Sequence, residues 1–362
     1  MLFDIKNNNR FGIQDHVFTN ILHFSAISKI GNFIDEEGYI GPTDCGAIAK
    51  DKKLAVIKAF SESIERRAIV VGALKKSMGV SPSFDLINNK TTMINHELTT
   101  YKSDEHPYID TTGTAAHKNS NEANFGAVSE LLEKNSIFLL WYAKVGYSLN
   151  LSFYSYYKEQ FKKEGYRIYQ YINDTFYPLL VVLVVAFRIE DKSITPITFK
   201  CGVGSGFILE DALEKAFSEA YMLGMYYENL YFTNYISQLS YDESNEYNAL
   251  EYIDNEKVIN WLLSLEKLKE YKLIKTDNIN KNDSKGKLKM LIENMPRWVT
   301  NLQLTVLRQT IRKDIIVVKA FSKDLITHIP SKKYIDLNIS INKNVAKLDN
   351  ITLNQIPQCP II

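Results

Sequence analysis

The sequence predicts an α+β fold with helices packed on extended sheet. Three observations carry this reading. Helical periodicity runs through roughly 52–75, 120–144 and 209–229. Strand-like stretches precede the later two helices, notably 179–189 and 194–201. The order lacks the regular strand–helix–strand rhythm of a doubly wound sheet.

In the first helix, apolar Ile57, Phe60, Ile64 and Ala68 fall at helical spacing. The next stripe carries Lys58, Ser61, Glu62 and Glu65, with Arg66 beside it. The second helix holds Glu130 and Glu133 within AVSELLEKNSIFLLW, and the third holds Glu219 within LEKAFSEAYM. Each helix follows a stretch that reads as a glycine-containing loop: GYIGPTDCGAIAK, DTTGTAAHKNS and CGVGSGF. Residues 148–172 are tyrosine-rich and read as a strand-and-helix hairpin with an amphipathic packing face. LLVVLVVAF, 179–187, is too short to cross a bilayer as a helix. It is valine-rich and follows Pro178, so it reads as a buried strand. KTDNINKNDSKGK, 275–287, is charged and asparagine-rich with a lone apolar residue, Ile279, and reads as a flexible surface loop. Arg308, Arg312 and Lys319 lie near the strand IIVVKAF, which could approach the site; the plainer reading, as surface or strand-end charges, is the one kept. No tandem repeat is apparent.

The totals exclude several functions. With 43 Lys+Arg against 42 Asp+Glu, the net charge of +1 gives no electrostatic case for nucleic acid or a membrane surface. Cys45, Cys201 and Cys359 are far apart and odd in number, which suits neither a disulfide framework nor a structural zinc site. The N-terminus, MLFDIKNNNRFG, lacks the basic-then-apolar order of a signal peptide, so a cytoplasmic protein is expected.

Spacing of three places Glu62 with Glu65, and Glu130 with Glu133, on one helix face among apolar neighbours. Carboxylates so placed are costly unless paired or metal-bound. Mg²⁺ suits them, since it takes a few carboxylates together with phosphate oxygens. Loops holding Gly113, Gly202, Gly204 and Gly206 could present amides to an anion, and Arg66 and Arg67 could neutralise charge. G-x-x-x-x-G-K-[ST] is absent, so a nucleotide site here is not a P-loop. The plainer alternatives stay open. Glu62 and Glu65 could simply pair with Lys58 and Arg66, Glu219 could pair with Lys215, and the glycines could mark turns without function.

AFSESIERR, DTTGTAAHKNSNEANFGAVSELLEKNSIFLLW and GVGSGFILEDALEKAFSEA, in this order, resemble the nucleotide-binding segments of YcaO-domain proteins. The resemblance covers roughly residues 40–230 and is weaker towards the C-terminus. It implies a single domain over 1–362, with helices packed on mixed or antiparallel sheet. It implies Mg²⁺ ligation by Glu62, Glu65, Glu130, Glu133 and Glu219, with ATP across them and Arg66 on phosphate. Lys58, Lys134, Asn135 and Met222 depart from the family pattern.

The implied activity is an ATP-dependent cyclodehydratase. It would convert Cys, Ser or Thr of a ribosomally made precursor peptide to thiazoline or oxazoline. The resemblance is greatest to the stand-alone subunit of microcin-B17-like synthetases. That subunit works with an E1-like, precursor-binding partner and a flavin dehydrogenase; a homodimer is also compatible. A thioamide-forming enzyme and a non-catalytic scaffold are the rival readings. The end of the sequence, NQIPQCPII, is similar to the proline-rich tail of azoline-forming members. In that reading residues 354–362 form the tail and the Ile362 carboxylate is a catalytic base; the alternative is a frayed terminus.

Overall fold

A computed structural model describes residues 10–15, 23–28, 45–49, 51–73, 79–101, 109–150, 155–188, 199–232, 255–272, 283–309 and 312–361. They divide between two compact units. The first comprises Met1–Leu132, Asp283–Ile292 and Val299–His328, and the second Glu133–Asn282, Glu293–Trp298 and Ile329–Ile362. All strand pairings between named strands are antiparallel.

The first unit holds two sheets. Strands β1 (Arg10–Asp15), β2 (His23–Ser28) and β3 (Cys45–Ala49) run in sequence order. The second sheet uses β4 (Val80–Asp85), β5 (Lys90–Asn95), β6 (Thr114–His117), β11 (Gln303–Leu307) and β12 (Ile316–Phe321) in the order β5-β4-β11-β12-β6. Helix α1 (Lys52–Val71) starts where Asp51 Oδ1 accepts the Leu54 amide at 2.8 Å. It stops at Gly72, whose φ of +71° suits glycine. A Cβ there would also crowd the side chains of His96 and Thr100. The helix buries Ile64, Ala68 and Ile69 against Leu307, Ile315 and Val317. Ile57, expected on this stripe, is 49% exposed instead. The buried face turns towards Ala55 and Ala59, whose small side chains let β3 come close, with Cys45 Sγ donating to the Ala59 carbonyl. Helix α2 (Ser120–Ala143) continues from the first unit into the second.

The second unit is built on the sheet β10-β9-β8-β7, with β7 (Tyr147–Ser148), β8 (Arg167–Asn173), β9 (Leu180–Phe187) and β10 (Phe199–Gly206). Every residue of β9 is buried, as its apolar run requires. The tyrosine-rich hairpin packs as expected. On α3 (Tyr156–Lys163), Phe161 meets Tyr166 and Tyr221 with ring centroids 5.7 Å apart in each case. Helices α4 (Leu209–Phe232) and α5 (Asn255–Leu265) belong to the same unit. No helix among the described residues is long and apolar enough to cross a membrane.

The structure corrects the glycine-containing loops in part: 38–44 lie outside the described residues, and 111–113 form a turn as expected. CGAIA and TAAH are strands, and the glycines of CGVGSG lie within β10, paired along its length with β9. A Cβ on Gly202 would collide with the backbone of Ala216 and Ala220, and one on Gly204 with that of Ala212 and Ala216. These glycines let α4 lie directly on the strand. The loop expected over 275–287 also ends early. Asp283 Oδ1 accepts the Gly286 amide at 2.8 Å and caps helix α6 (Ser284–Glu293), while 275–282 lie outside the described residues.

The packing role of the β10 glycines is testable. Gly204→Ala should cost about 1–3 kcal/mol or more in urea unfolding, because backbone must move. Gly206→Ala should cost much less, since its nearest neighbour lies at 3.3 Å. Equal effects would count against the close strand–helix contact.

Candidate functional site

Strands β3, β6 and β10 each end the order of strands in their sheet. An edge strand carries amides that no neighbouring strand accepts. In each case the next helix packs back on the strand, and a glutamate sixteen residues along accepts one of these amides. The Gly46 N–H donates to Glu62 Oε2 at 3.0 Å, the Thr114 N–H to Glu130 Oε2 at 3.2 Å, and the Val203 N–H to Glu219 Oε2 at 2.9 Å. The Thr114 N–H is shared with the Thr111 carbonyl at 3.0 Å. Glu65 adds a link of a different kind. Its Oε1 accepts the Ala116 amide at 2.7 Å, which ties α1 to β6.

The first unit therefore gathers Glu62, Glu65, Arg66 and Glu130. Arg66 Nη2 lies 2.9 Å from Glu62 Oε1, the ion pair that the plainer reading expected. Lys58 is exposed. Glu65 keeps some surface exposure, yet its carboxyl is pushed well above the ordinary range. Desolvation is the main cause and the charge of Glu130 the next, with Glu62 adding to it; the Ala116 amide and Arg66 oppose it. A carboxyl crowded by like charge in this way favours a nearby cation.

In the second unit, Glu133 lies 3.5 Å from Lys134 Nζ, and both side chains are largely covered. Lys215 Nζ donates to the Ser205 carbonyl at 2.8 Å. Met222 is half-buried, and Asn135 is fully buried. Among the described residues, no three His, Cys, Asp or Glu side chains form a ready-made metal cage.

Ile362 lies outside the described residues. The tail before it is not frayed. Helix α7 (Asn350–Gln355) leads into Ile356, Cys359 and Ile361, all buried. Trp141 Nε1 donates to the Pro357 carbonyl at 2.9 Å. The Tyr142 hydroxyl donates to the Pro330 carbonyl and accepts the Cys359 amide. Burial pushes the Cys359 thiol up to about 12, which makes it a poor nucleophile.

Of the three charges assigned to the surface, Arg308 and Arg312 are exposed but Lys319 is buried. Its Nζ donates to the carbonyls of Asp110 and Thr112, each at 2.9 Å. Burial lowers its pKa to about 8, against the opposing charges of Asp110 and Glu130. The signal was a lysine inside the apolar run IIVVKAF, which a strand end does not explain.

Glu65 makes stability depend on pH with a definite sign. A carboxyl raised in the folded state contributes stability that is complete below the unfolded value, about 4.3. That contribution is lost as pH rises through the higher folded value. Glu65→Gln keeps an acceptor for Ala116 but cannot ionise. Thermal melts of the nucleotide- and Mg²⁺-free protein should show equal Tm near pH 4, and a variant higher by about 2 °C or more at pH 7.

The description "YcaO cyclodehydratase, ATP- and Mg²⁺-binding" matches residues 72–322. The match includes Glu130, Glu133 and Glu219, and begins after Glu62, Glu65 and Arg66. No curated protein sequence matches the chain. The fold is similar to a chain of the E. coli microcin synthetase McbBCD complex with pro-MccB17 bound. The TM-score is 0.74 at 15% identity, covering 97% of this chain and 96% of that one. It is similar to YcaO from Methanopyrus kandleri bound with AMPPCP and Mg²⁺, with a TM-score of 0.60, 12% identity, and coverage of 88% and 86%. A heterocyclase in complex with substrate and cofactor gives 0.67 at 14% identity, covering 96% of this chain and 54% of that one. Antiparallel sheets with packed helices, and a family match over more than half of the sequence, lead to one conclusion: the chain belongs to the YcaO cyclodehydratase family.

Proposed function

We propose that the chain is the ATP- and Mg²⁺-dependent cyclodehydratase subunit of an azoline-forming synthetase. The observation that carries this reading is the carboxylate group of the first unit. Glu62, Glu65 and Glu130 are each held by a strand amide, and Glu65 resists ionisation beside Glu130. The donors are hard oxygens, which suit Mg²⁺. One or two carboxylates with phosphate oxygens complete its shell, so no closed protein cage is required. The family resemblance assigns Glu133 and Glu219 the same ligand role, and Arg66 a phosphate contact. Bound Mg²⁺ would offset the charge developing in phosphoryl transfer.

In this reading a Cys, Ser or Thr side chain of the precursor loses its proton and attacks the preceding carbonyl carbon. The resulting oxyanion takes the γ-phosphoryl group and releases ADP. Loss of phosphate, with loss of the amide proton, leaves the C=N bond of the azoline. The similarity to a chain of the McbBCD complex supports work within a multiprotein synthetase. A precursor-binding E1-like partner is proposed, together with a flavin dehydrogenase that would aromatise the azolines.

Two observations favour a non-catalytic scaffold instead. Lys134 forms an ion pair with Glu133, and Met222 stands where a further polar side chain is usual in the family. That reading expects no nucleotide-dependent chemistry even with precursor and partners present.

Calorimetry with AMPPCP and Mg²⁺ tests the site directly. Wild type should bind only when Mg²⁺ is present. A Glu62→Gln, Glu130→Gln double variant keeps acceptors for the strand amides and should bind at least about tenfold more weakly, a difference of about 1.4 kcal/mol. Unchanged affinity in the folded variant would refute the carboxylate site.

A further inference from the structure

The five-stranded sheet buries one ammonium. Lys319 stands in the middle of β12, 2% exposed, with Thr305 of β11 and Thr114 of β6 as its cross-strand partners. A charge in such a place is expensive unless it is paired and hydrogen-bonded. Its two bonds go to one short segment, the carbonyls of Asp110 and Thr112.

That segment is the turn that delivers the Glu130 partner. Thr112 N–H donates to Asp110 Oδ1 at 2.7 Å, and Ala320 N–H to the Gly113 carbonyl at 2.7 Å. Gly113 has φ +76°, and a Cβ there would press on the Ala320 carbonyl. The next residue is Thr114, whose amide meets Glu130. Lys319 thus clamps the turn from below at two carbonyls, while the neighbouring Ala320 clamps it at a third. The charge also reaches Glu130, which acts on the lysine from across the turn.

We propose that Lys319 is a positioning residue for Glu130: by fixing the turn 110–113 it holds the Thr114 amide where it orients the carboxylate. Its purpose rests on the nucleotide–magnesium reading of the site. In this proposal the residue acts chiefly through the turn, by way of the carbonyls of Asp110 and Thr112. An apolar residue would fill the sheet equally well but would leave the two carbonyls without their donor.

Two measurements on Lys319→Met, Lys319→Gln and Glu130→Gln separate this role from general packing. The first is hydrogen exchange of the nucleotide-free protein. Lys319→Met should speed exchange of the 110–117 amides about tenfold or more and leave β4 and β5 unchanged. Lys319→Gln can still donate to a carbonyl and should recover part of the protection. The second is Mg²⁺-dependent AMPPCP affinity. Lys319→Met should weaken it about tenfold, yet add little on the Glu130→Gln background.

Unchanged exchange at 110–117, loosening spread over the whole sheet, or additive effects on affinity would each overturn the proposal. If Lys319→Met does not fold, Lys319→Gln and wild type decide, and a fast-exchanging Thr114 amide in wild type overturns it. Wild type that binds no Mg²⁺-AMPPCP would overturn the nucleotide reading and the purpose given to Lys319. The exchange measurement would still show whether Lys319 holds the turn.

Discussion

A carboxylate accepting the amide of an edge strand is the interaction on which the rest depends. It occurs at Glu62, Glu130 and Glu219, each sixteen residues beyond its donor. The bond exists only if the helix lies very close to the strand. That requirement explains the composition on both sides. Gly202 and Gly204 face the backbone of Ala212, Ala216 and Ala220. Gly126 of α2 leaves room for Ala115 of β6, and Cys45 reaches the Ala59 carbonyl of α1. Three unlike sequences thus share one recipe, with small residues at the contact and a glutamate at its end. The same bond closes edges that would otherwise invite further strands.

Much of the fold was legible in the sequence because it depends on periodicity. The three long helices and the β9 strand are found close to the expected bounds. The misread β10 glycines and the misplaced Ile57 have one physical origin. Glycine usually marks a turn, so CGVGSG was expected as a loop. Here its glycines serve packing inside a strand, and only the alanines at i, i+4 and i+8 of the following helix hint at that. Ile57 shows the same effect from the helix side. The apolar stripe marked a face, but Ala55 and Ala59 determined which side could approach a strand.

The candidate site was legible as residue types but not as geometry. Glu62, Glu65 and Glu130 stood out by spacing, and the structure gathers them in one unit. Their strand partners could not be read, because a backbone donor leaves no mark in the sequence. Lys319 was passed over for a related reason. Its acceptors are carbonyls more than two hundred residues away in the chain, so no local pattern announces them.

The choice of glutamate is the remaining question of chemistry. A glutamine would satisfy a strand amide equally well, with no charge to desolvate. Glutamate at Glu65 carries a burden instead, since burial and Glu130 both oppose its ionisation. Glu62 and Glu130 add like charge to the same neighbourhood. Capping alone cannot account for three carboxylates where neutral acceptors would be cheaper. Strain of this kind is characteristic of sites kept for activity at the expense of stability. A divalent cation would turn the repulsion into coordination. The strand amide fixes one oxygen of each carboxylate and so limits how the group can turn to meet the ion, and the fold supplies that restraint before any ligand arrives.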